Sequence, residues 1–157
     1  MAGVEIERKF LLTALPEAVR SVPGERVEQG YLAIGSDGVE VRVRRRAGAC
    51  TLTVKSGPGG ASRVEEELTL DPAQFASLWE LSAGRRVEKT RHVVPLEGDA
   101  RAEVDVYAGA LEGLLTAEVE FPSEAASRAF APPGWFGAEV TGDARYANQS
   151  LALHGAP

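Results

Sequence analysis

Apolar and polar residues alternate with a period of two along most of the chain, and this pattern is typical of β-strands. It predicts eight strands, over residues 4–12, 27–34, 39–45, 50–55, 63–70, 85–94, 101–107 and 116–121. Turn signals such as Ser36-Asp37-Gly38 and Gly57-Pro58-Gly59-Gly60 separate neighbouring strands. Because the connections are short, we expect hairpins and an antiparallel sheet, and a closed path of such strands predicts a β-barrel.

Helical signals are fewer and lie between or after the strands. Asp71 and Pro72 supply an N-cap and a first-turn proline for a helix that ends near residue 81. Ser123 caps a second candidate, which ends before the prolines at 132 and 133. The pattern also predicts a helix over residues 145–153 and a weaker one over residues 15–20. We therefore expect a few peripheral helices around a β-rich domain.

The polar faces of the predicted strands carry far more charge than a sheet needs for contact with water. In the first strand Glu5, Glu7 and Lys9 share one face, and mixed rows of basic and acidic residues recur at the same phase in six strands. For one strand alone, a solvated charged face is an equally good interpretation. Across six strands, the pattern favours faces that converge on one charged interior.

The chemistry of such an interior indicates a ligand. Charges inside a barrel are costly unless they are paired, hydrated or bound to a ligand. Arginine and lysine bind phosphate oxygens, and clustered glutamates bind a divalent cation that itself bridges phosphates. A lumen lined by both signs of charge therefore predicts a metal-bound polyphosphate as the ligand.

The composition narrows the class of protein. The 157 residues include 17 Lys and Arg against 23 Asp and Glu, a formal net charge of −6, which argues against a general nucleic-acid-binding protein. The single Cys50 excludes an internal disulfide and a cysteine-rich zinc module, and such low cysteine use is typical of the cytoplasm. No apolar run reaches the roughly 20 residues that cross a bilayer. We expect one cytoplasmic domain over residues 1–157, with no membrane partner.

An ordered series of charged motifs resembles the CYTH proteins, also called triphosphate tunnel metalloenzymes. It begins with Glu5-Ile6-Glu7-Arg8-Lys9, which matches the ExExK opening of that family. The later members of the series are Arg42-Val43-Arg44, Lys55, Glu65-Glu66-Glu67, Lys89-Thr90-Arg91, Asp105, Glu118-Val119-Glu120 and Asp143-Ala144-Arg145-Tyr146. Residues 29–32, 84–91 and 135–137 further resemble the short bacterial members that hydrolyse inorganic triphosphate. The resemblance covers essentially the whole chain.

The resemblance implies a β-rich α+β fold, an eight-stranded antiparallel β-barrel that forms a closed or nearly closed tunnel around triphosphate. The carboxylates that it implies as metal ligands are Glu5, Glu7, Glu65, Glu67, Asp105, Glu118 and Glu120, with the direct ligand of the Glu65 and Glu67 pair left open. The phosphate-binding residues that it implies are Lys9, Arg42, Arg44, Lys55, Lys89, Arg91 and Arg145. The implied cofactor is Mg²⁺ or Mn²⁺, with two divalent ions during turnover.

The predicted reaction is the hydrolysis of tripolyphosphate to diphosphate and phosphate by in-line attack of water. Our hypothesis for Lys9 is a catalytic role, in which its charge stabilises the attacked or leaving phosphoryl group. Tyr31 has two interpretations that we leave open: it positions the nucleophile or the phosphate end, or it is a packed aromatic residue of the barrel.

Three alternatives to this function stay open at the level of the sequence. They are an adenylate cyclase in the same tunnel, a thiamine or nucleoside triphosphatase, and a non-catalytic polyphosphate-binding module. The acidic set of Glu5, Glu7, Asp105, Glu118 and Glu120 favours catalysis, because anion binding alone gains nothing from so many carboxylates. Exposed strand edges and the short chain also leave a homodimer open.

Overall fold

The computed structural model describes residues 5–56 and 64–157. The strands, in chain order, are β1 Ile6–Leu11, β2 Gly24–Ile34, β3 Glu40–Arg46, β4 Ala49–Lys55, β5 Glu65–Leu70, β6 Arg86–Pro95, β7 Arg101–Ala108 and β8 Leu115–Phe121. Each of the eight predicted strands is present, although the bounds shift by a few residues. Val4, Arg63 and the predicted turn at residues 57–60 lie outside the described residues.

The strands form one antiparallel sheet in the order β1-β8-β7-β6-β2-β3-β4-β5. Most neighbours in this sheet are consecutive strands of the chain, as the short predicted connections require. In the part of the chain that the structure describes, the end strands β1 and β5 do not pair with each other. The β-rich α+β class and the antiparallel sheet are therefore confirmed, whereas the predicted closure of the sheet into a barrel is not observed.

The sheet stays open because the outer edge of β1 is already occupied. Residues 137–141, which we call the strap, run antiparallel to β1 and form a bridge between Phe10 and Glu139. Leu11 N donates to Ala138 O at 2.8 Å, and Val140 N donates to Lys9 O at 2.8 Å. These backbone groups of β1 are then no longer available to β5.

One glycine makes the approach of the strap to β1 possible. Gly137 N donates to Leu11 O at 2.7 Å. A Cβ at position 137 would lie 2.6 Å from that same backbone oxygen, a distance that side chains essentially never adopt. Only glycine therefore lets the strap begin at this point.

The helices are α1 Glu17–Arg20, α2 Pro72–Leu81, α3 Glu124–Ala129 and α4 Asn148–His154. Helix α2 begins at a capping box, in which Gln74 N donates to the Asp71 carboxylate at 2.8 Å. The predicted helix over residues 145–153 is divided in two: a 3-10 turn, Ala144–Tyr146, is capped by Asp143, and α4 begins only after the extended residue Ala147. None of the described helices is long and apolar enough to cross a membrane.

Helices α1 to α3 cover the outer, apolar face of the sheet. One buried cluster joins α1 and the aromatic segment 130–136 to the sheet. It includes Val19 of α1, Val104 of β7 and Val119 of β8, all fully buried. Helix α2 covers β3 and β4, where Phe75 packs with Val43. Burial of these side chains, each worth about 1.5–3 kcal/mol, supplies the driving force that holds the helices to the sheet.

Helix α4 packs on the opposite face of the sheet from the other three helices. Its Leu151 and Ala152 form a buried cluster with Tyr31 of β2, Val87 of β6 and Tyr107 of β7. The chain thus places its C-terminal helix on the same side of the sheet as the charged residues, next to the candidate site.

Arg8 joins three separate parts of the fold on the outer face. Its guanidinium donates to Ser127 O at 2.9 Å and to Phe130 O at 3.3 Å, which lie at the end of α3. It also donates twice to the Glu139 carboxylate of the strap, at 2.7 and 3.0 Å. Arg8 therefore fastens β1 to both the strap and α3.

We predict that Arg8→Met lowers the free energy of unfolding by about 2 kcal/mol, because the hydrogen bonds that a charged group makes to Glu139 and to two partly buried carbonyls are lost. Urea unfolding of both proteins measures the difference. Arg20→Met, at an exposed position of α1, is the matched control and should change stability by less than about 0.5 kcal/mol. Equal stability of the Arg8 and Arg20 variants would contradict the role assigned to Arg8.

Candidate functional site

The strand register brings the predicted charged residues to one face of the sheet. Residues that pair directly across antiparallel strands have their side chains on the same side. The pairs that establish the face are Glu7–Glu120, Lys9–Glu118, Glu118–Glu103, Asp105–Arg91, Lys89–Val27, Val27–Arg46, Gln29–Arg44, Arg42–Thr53, Thr53–Glu67 and Lys55–Glu65. We call this side the charged face. All eight strands contribute to it, including the six in which the alternation predicts a common charged face.

A buried ion-pair network lies near the middle of the charged face. Lys89 Nζ donates to Asp105 Oδ2 at 2.8 Å, and Arg91 donates to both oxygens of the same carboxylate at 2.8 and 2.9 Å. Burial alone would raise the pKa of Asp105, but the hydrogen bonds and positive charges of Arg91 and Lys89 outweigh it and hold this pKa below its usual range. Asp105, expected as a contributor to metal binding, is here the counter-ion of two cations.

A cationic cavity lies beside this network, beneath the first residue of α4. Its volume is about 60 Å³, and the polar residues that line it are Gln29, Arg44, Arg46, Lys89, Arg91 and Asn148. Arg44 makes no ion pair within 4 Å among the described residues, and its pKa is lowered by burial and by the charges of Arg42 and Arg46. A small cavity surrounded by cations of this kind suits an anion.

Two residues of this cavity were not singled out from the sequence. Arg46 continues the alternation of Arg42 and Arg44 on β3, so its position was visible in the sequence, although it also pairs with Glu25. Asn148 has no such signal, because only the packing of α4 against β2 and β6 brings it to the charged face.

The acidic part of the charged face is centred on Glu7 and Glu118. A hydrogen bond between these two carboxyl groups, partial burial and the negative charges of Glu118 and Glu5 together raise the pKa of Glu7 to about 8. Two carboxyl groups that share a proton are a site where a divalent cation can replace that proton. The donor chemistry therefore fits a hard divalent cation.

The wider carboxylate set is not gathered around one point. Across residues 5–56 and 64–157, no three His, Cys, Asp or Glu side chains converge closely enough to hold a metal ion. Glu120 is exposed and, with Glu103 and Arg101, lines a separate cavity of about 420 Å³. Magnesium commonly uses only one or two carboxylates together with water and substrate phosphates, so the Glu7 and Glu118 pair is compatible with that mode.

Lys9 lies between the acidic pair and the strap. With Glu7, Glu118 and residues 140–144, 146 and 147 it lines a cavity of about 280 Å³. Its Nζ donates to Tyr146 O at 2.7 Å, and its backbone N donates to the hydroxyl of Thr141 at 3.0 Å. The strap and the following turn therefore position Lys9 in this cavity.

The far flank of the charged face is formed by β3, β4 and β5. Arg42 pairs with Glu40 at 3.0 Å, and Lys55 lies 4.0 Å from the Glu65 carboxylate. The Nε of Arg42 is buried and has no hydrogen-bond partner among the described residues. Glu65 and Glu67 are both exposed on β5. Neither of these glutamates contacts the Glu7 and Glu118 pair through a recorded hydrogen bond.

Tyr31 is enclosed in the core rather than open to solvent. Its side chain is only 1% exposed, and its hydroxyl accepts a hydrogen bond from Gln29 Nε2 at 2.7 Å. Burial is the main cause that raises the pKa of Tyr31 to about 12. The phenol is therefore protonated at neutral pH, and both of its sequence interpretations, packing and positioning, agree with this geometry.

Arg145 is the predicted site residue that the structure does not bring together with the others. Its side chain is exposed and donates to both carboxylate oxygens of Asp143, at 3.0 and 2.7 Å. It lines neither the cationic cavity nor the cavity that contains Lys9. Its local partner, two residues away, holds it on the surface of the turn.

The fold and the site define a protein that presents separate cationic and acidic groups on one face of an antiparallel sheet, the arrangement expected for a protein that binds a polyanion together with a cation. The chain is 48% identical over 150 residues to an inorganic triphosphatase of Nitrosomonas europaea. This match covers 95% of the chain and 97% of the relative. It is 40% identical over 152 residues to an inorganic triphosphatase of Acetivibrio thermocellus, covering 95% and 93%.

A solved structure agrees with these relatives. The crystal structure of the inorganic triphosphatase NE1496 matches with a TM-score of 0.86 and 42% identity, and the match covers 99% of this chain and 98% of that chain. No family model matches the sequence. The chain belongs to the family of the inorganic triphosphatases, the CYTH proteins, and the resemblance seen in the sequence is confirmed.

We predict that Glu7 makes the metal-free protein less stable as the pH rises. Its pKa is about 8 in the folded protein and about 4.5 in an unfolded chain, so between these values the folded state holds a proton that the unfolded state has lost. Stability from this group is complete below pH 4.5 and is lost as the pH rises through 8. Thermal unfolding in EDTA from pH 5 to pH 9 tests the effect.

In that series Glu7→Gln should gain stability relative to the natural protein as the pH rises, because the amide does not ionise. Glu17→Gln, on the exposed side of α1, is the control and should follow the natural protein throughout. Parallel profiles for the Glu7 variant and the natural protein would rule out a shared proton at the acidic pair.

Proposed function

We propose that the protein hydrolyses inorganic triphosphate to diphosphate and phosphate on its charged face. The curated relatives confirm the reaction class that the sequence predicts, since both are inorganic triphosphatases and each match covers more than nine-tenths of this chain. The observation that carries the proposal is the strand register, which gives one face a buried cationic group and a separate acidic pair. A metal-bound triphosphate needs both.

The cations of the charged face are proposed to bind the phosphate chain. Arg44, Lys89 and Arg91 surround the cationic cavity, and Arg42 and Lys55 extend the row along β3 and β4. The buried Nε of Arg42 is an N–H donor without a partner in the described structure, which supports a role in binding an acceptor such as a phosphate oxygen. Arg145 would first have to release Asp143, so its predicted role depends on a rearrangement of the turn.

The carboxylates Glu7 and Glu118 are proposed as the principal metal ligands. Glu5 and Glu120 flank them, and Glu65 and Glu67 on β5 are proposed as further contributors, directly or through water. A bound Mg²⁺ or Mn²⁺ would neutralise phosphate charge and lower the pKa of a coordinated water, and the proposal includes two such ions during turnover. The raised pKa of Glu7 supports this assignment, since it reflects the close approach of two carboxyl groups.

Lys9 is proposed as the catalytic cation, near the attacked or leaving phosphoryl group. It pairs with Glu118 across β1 and β8, so its ammonium group is carried beside the acidic pair. Its present acceptor is the carbonyl of Tyr146, which a phosphate oxygen can replace. Tyr31 has a hydroxyl that accepts from Gln29 and keeps its own proton, so it can donate to an oxygen but cannot act as a base at neutral pH.

Enclosure of the substrate in a tunnel is also proposed, in a modified form. The strap and α4 would supply the wall that direct pairing of β1 with β5 does not provide. Residues 140–144, 146 and 147 line the cavity of Lys9 and Glu118, and Asn148 lines the cationic cavity, which supports this arrangement. Such a wall would keep bulk water from the cations and strengthen their interaction with phosphate.

We predict that the protein prefers tripolyphosphate to other triphosphate compounds. Phosphate release should be fastest from tripolyphosphate in Mg²⁺ or Mn²⁺, slower from ATP and thiamine triphosphate, and absent in EDTA. The charged face offers groups for phosphates, which all three compounds share, so the prediction rests on the phosphate chain alone. Formation of cyclic AMP and diphosphate from ATP would instead identify a cyclase. Tight binding of tripolyphosphate without any release would identify a binding module.

We also predict that replacement of Lys9 removes most of the activity. Lys9→Ala should lower kcat for tripolyphosphate by roughly 100-fold or more, because a charge aimed at the reacting phosphoryl group is removed. Far-UV circular dichroism and the melting temperature should stay close to those of the natural protein, since Lys9 contacts the turn through one side-chain hydrogen bond. Arg20→Ala is the charge-matched control. Near-normal turnover in a folded Lys9→Ala protein would remove Lys9 from the mechanism.

A further inference from the structure

Tyr107 carries a buried hydroxyl that no residue described in the structure satisfies. The side chain is 3% exposed, and its OH has no hydrogen-bond partner among residues 5–56 and 64–157. A buried hydroxyl without a partner destabilises a fold, and folded proteins rarely contain one. An unmet donor next to a candidate binding site is therefore informative.

The hydroxyl lies among the charged groups of the candidate site. Tyr107 is directly opposite Lys89 in the register of β6 and β7, and Lys89 Nζ lies 5.5 Å from the centre of its ring. The charges of Asp105, Arg91 and Glu118 all act on the phenol. Tyr107 therefore lies beside the cationic network.

The Tyr107 phenol keeps its proton at neutral pH and is available as a hydrogen-bond donor. Burial is the main cause that holds the pKa of Tyr107 well above its usual range, so the OH stays protonated through the physiological range. The Thr116 hydroxyl lies close enough to the phenol to lower this pKa, but the pair does not meet the geometry of a hydrogen bond. What the site lacks is thus an acceptor oxygen.

We propose that Tyr107 donates a hydrogen bond to a phosphate oxygen of the bound triphosphate and is a further substrate-binding residue of this enzyme. The inference rests on the proposed function. Lys89 and Arg91, the neighbours of Tyr107, are the cations assigned to the phosphate chain, so an anionic oxygen held by them is the acceptor nearest to hand. Nothing in the alternation of β7 indicates this role, because Tyr107 reads there as one more aromatic residue of a strand.

The test uses Tyr107→Phe, which removes the hydroxyl and keeps the ring in its buried cluster. A lost hydrogen bond to a charged oxygen should raise KM for tripolyphosphate about tenfold, with kcat changed by less than about threefold. Calorimetric titration with tripolyphosphate in EDTA should show a loss of affinity in the same direction. The melting temperature of the ligand-free variant should be unchanged or higher, because an unsatisfied polar group has been removed.

Thr116→Val is the second variant, since it removes the one hydroxyl near Tyr107. We expect its KM to stay close to that of the natural protein. If Tyr107→Phe and Thr116→Val both lower the melting temperature and leave KM unchanged, the phenol bonds Thr116 and the inference is wrong. If the natural protein itself releases no phosphate from tripolyphosphate, the proposed function fails, and that result is distinct from a silent Tyr107 variant in an active enzyme.

Discussion

The charged face depends on the ion pairs that Asp105 makes with Lys89 and Arg91. Lys89 and Arg91 lie two residues apart on one face of β6, so their charges repel each other, and burial makes each charge costly. The Asp105 carboxylate compensates both at once, with all three hydrogen bonds between 2.8 and 2.9 Å. Glu103 also pairs with Arg91, so carboxylates of β7 hold both cations beneath α4 before any ligand arrives, and little reorganisation is then needed on binding.

The same network explains how a protein with a net charge of −6 can recognise a polyanion. Net charge describes the average field, whereas the ligand meets the local one. Among the described residues around the cationic cavity, Arg44 has no carboxylate partner within 4 Å. Arg46 pairs with Glu25, and both side chains are partly exposed. The acidic excess is carried elsewhere, in part by the carboxylates centred on Glu7 and Glu118.

Local signals predicted the parts of the fold that depend on neighbouring residues. Alternation with period two identified every strand and the face on which Lys9, Lys89 and Glu118 lie, since the side chains of a strand alternate whatever the tertiary structure. The capping residues Asp71 and Ser123 marked the starts of two helices for the same reason. The family was also accessible, because its motifs follow that alternation.

Contacts between distant segments could not be predicted in this way. The strap pairs with β1 across about 130 residues of sequence, and its residues do not alternate as those of a strand do. The sequence therefore predicted a closed barrel and not a sheet whose β1 edge is covered by the strap. The roles of Arg8 and Asp105 also depend on register and packing. For Asp105, sequence identifies a carboxylate, but only the pairing of β6 with β7 shows that two cations already use it.

Within residues 5–56 and 64–157 the outer edge of β5 has no paired strand, and this affects the behaviour of the protein in concentrated solution. Unpaired strand edges invite pairing with a second molecule and so promote aggregation. Here Glu65, Glu66 and Glu67 follow one another along an exposed strand, so both faces beside the open edge carry negative charge. A second copy that approached edge to edge would bring three more glutamates close to these three. The edge opposite the strap therefore carries charge that opposes pairing, whereas β1 is covered by a backbone partner.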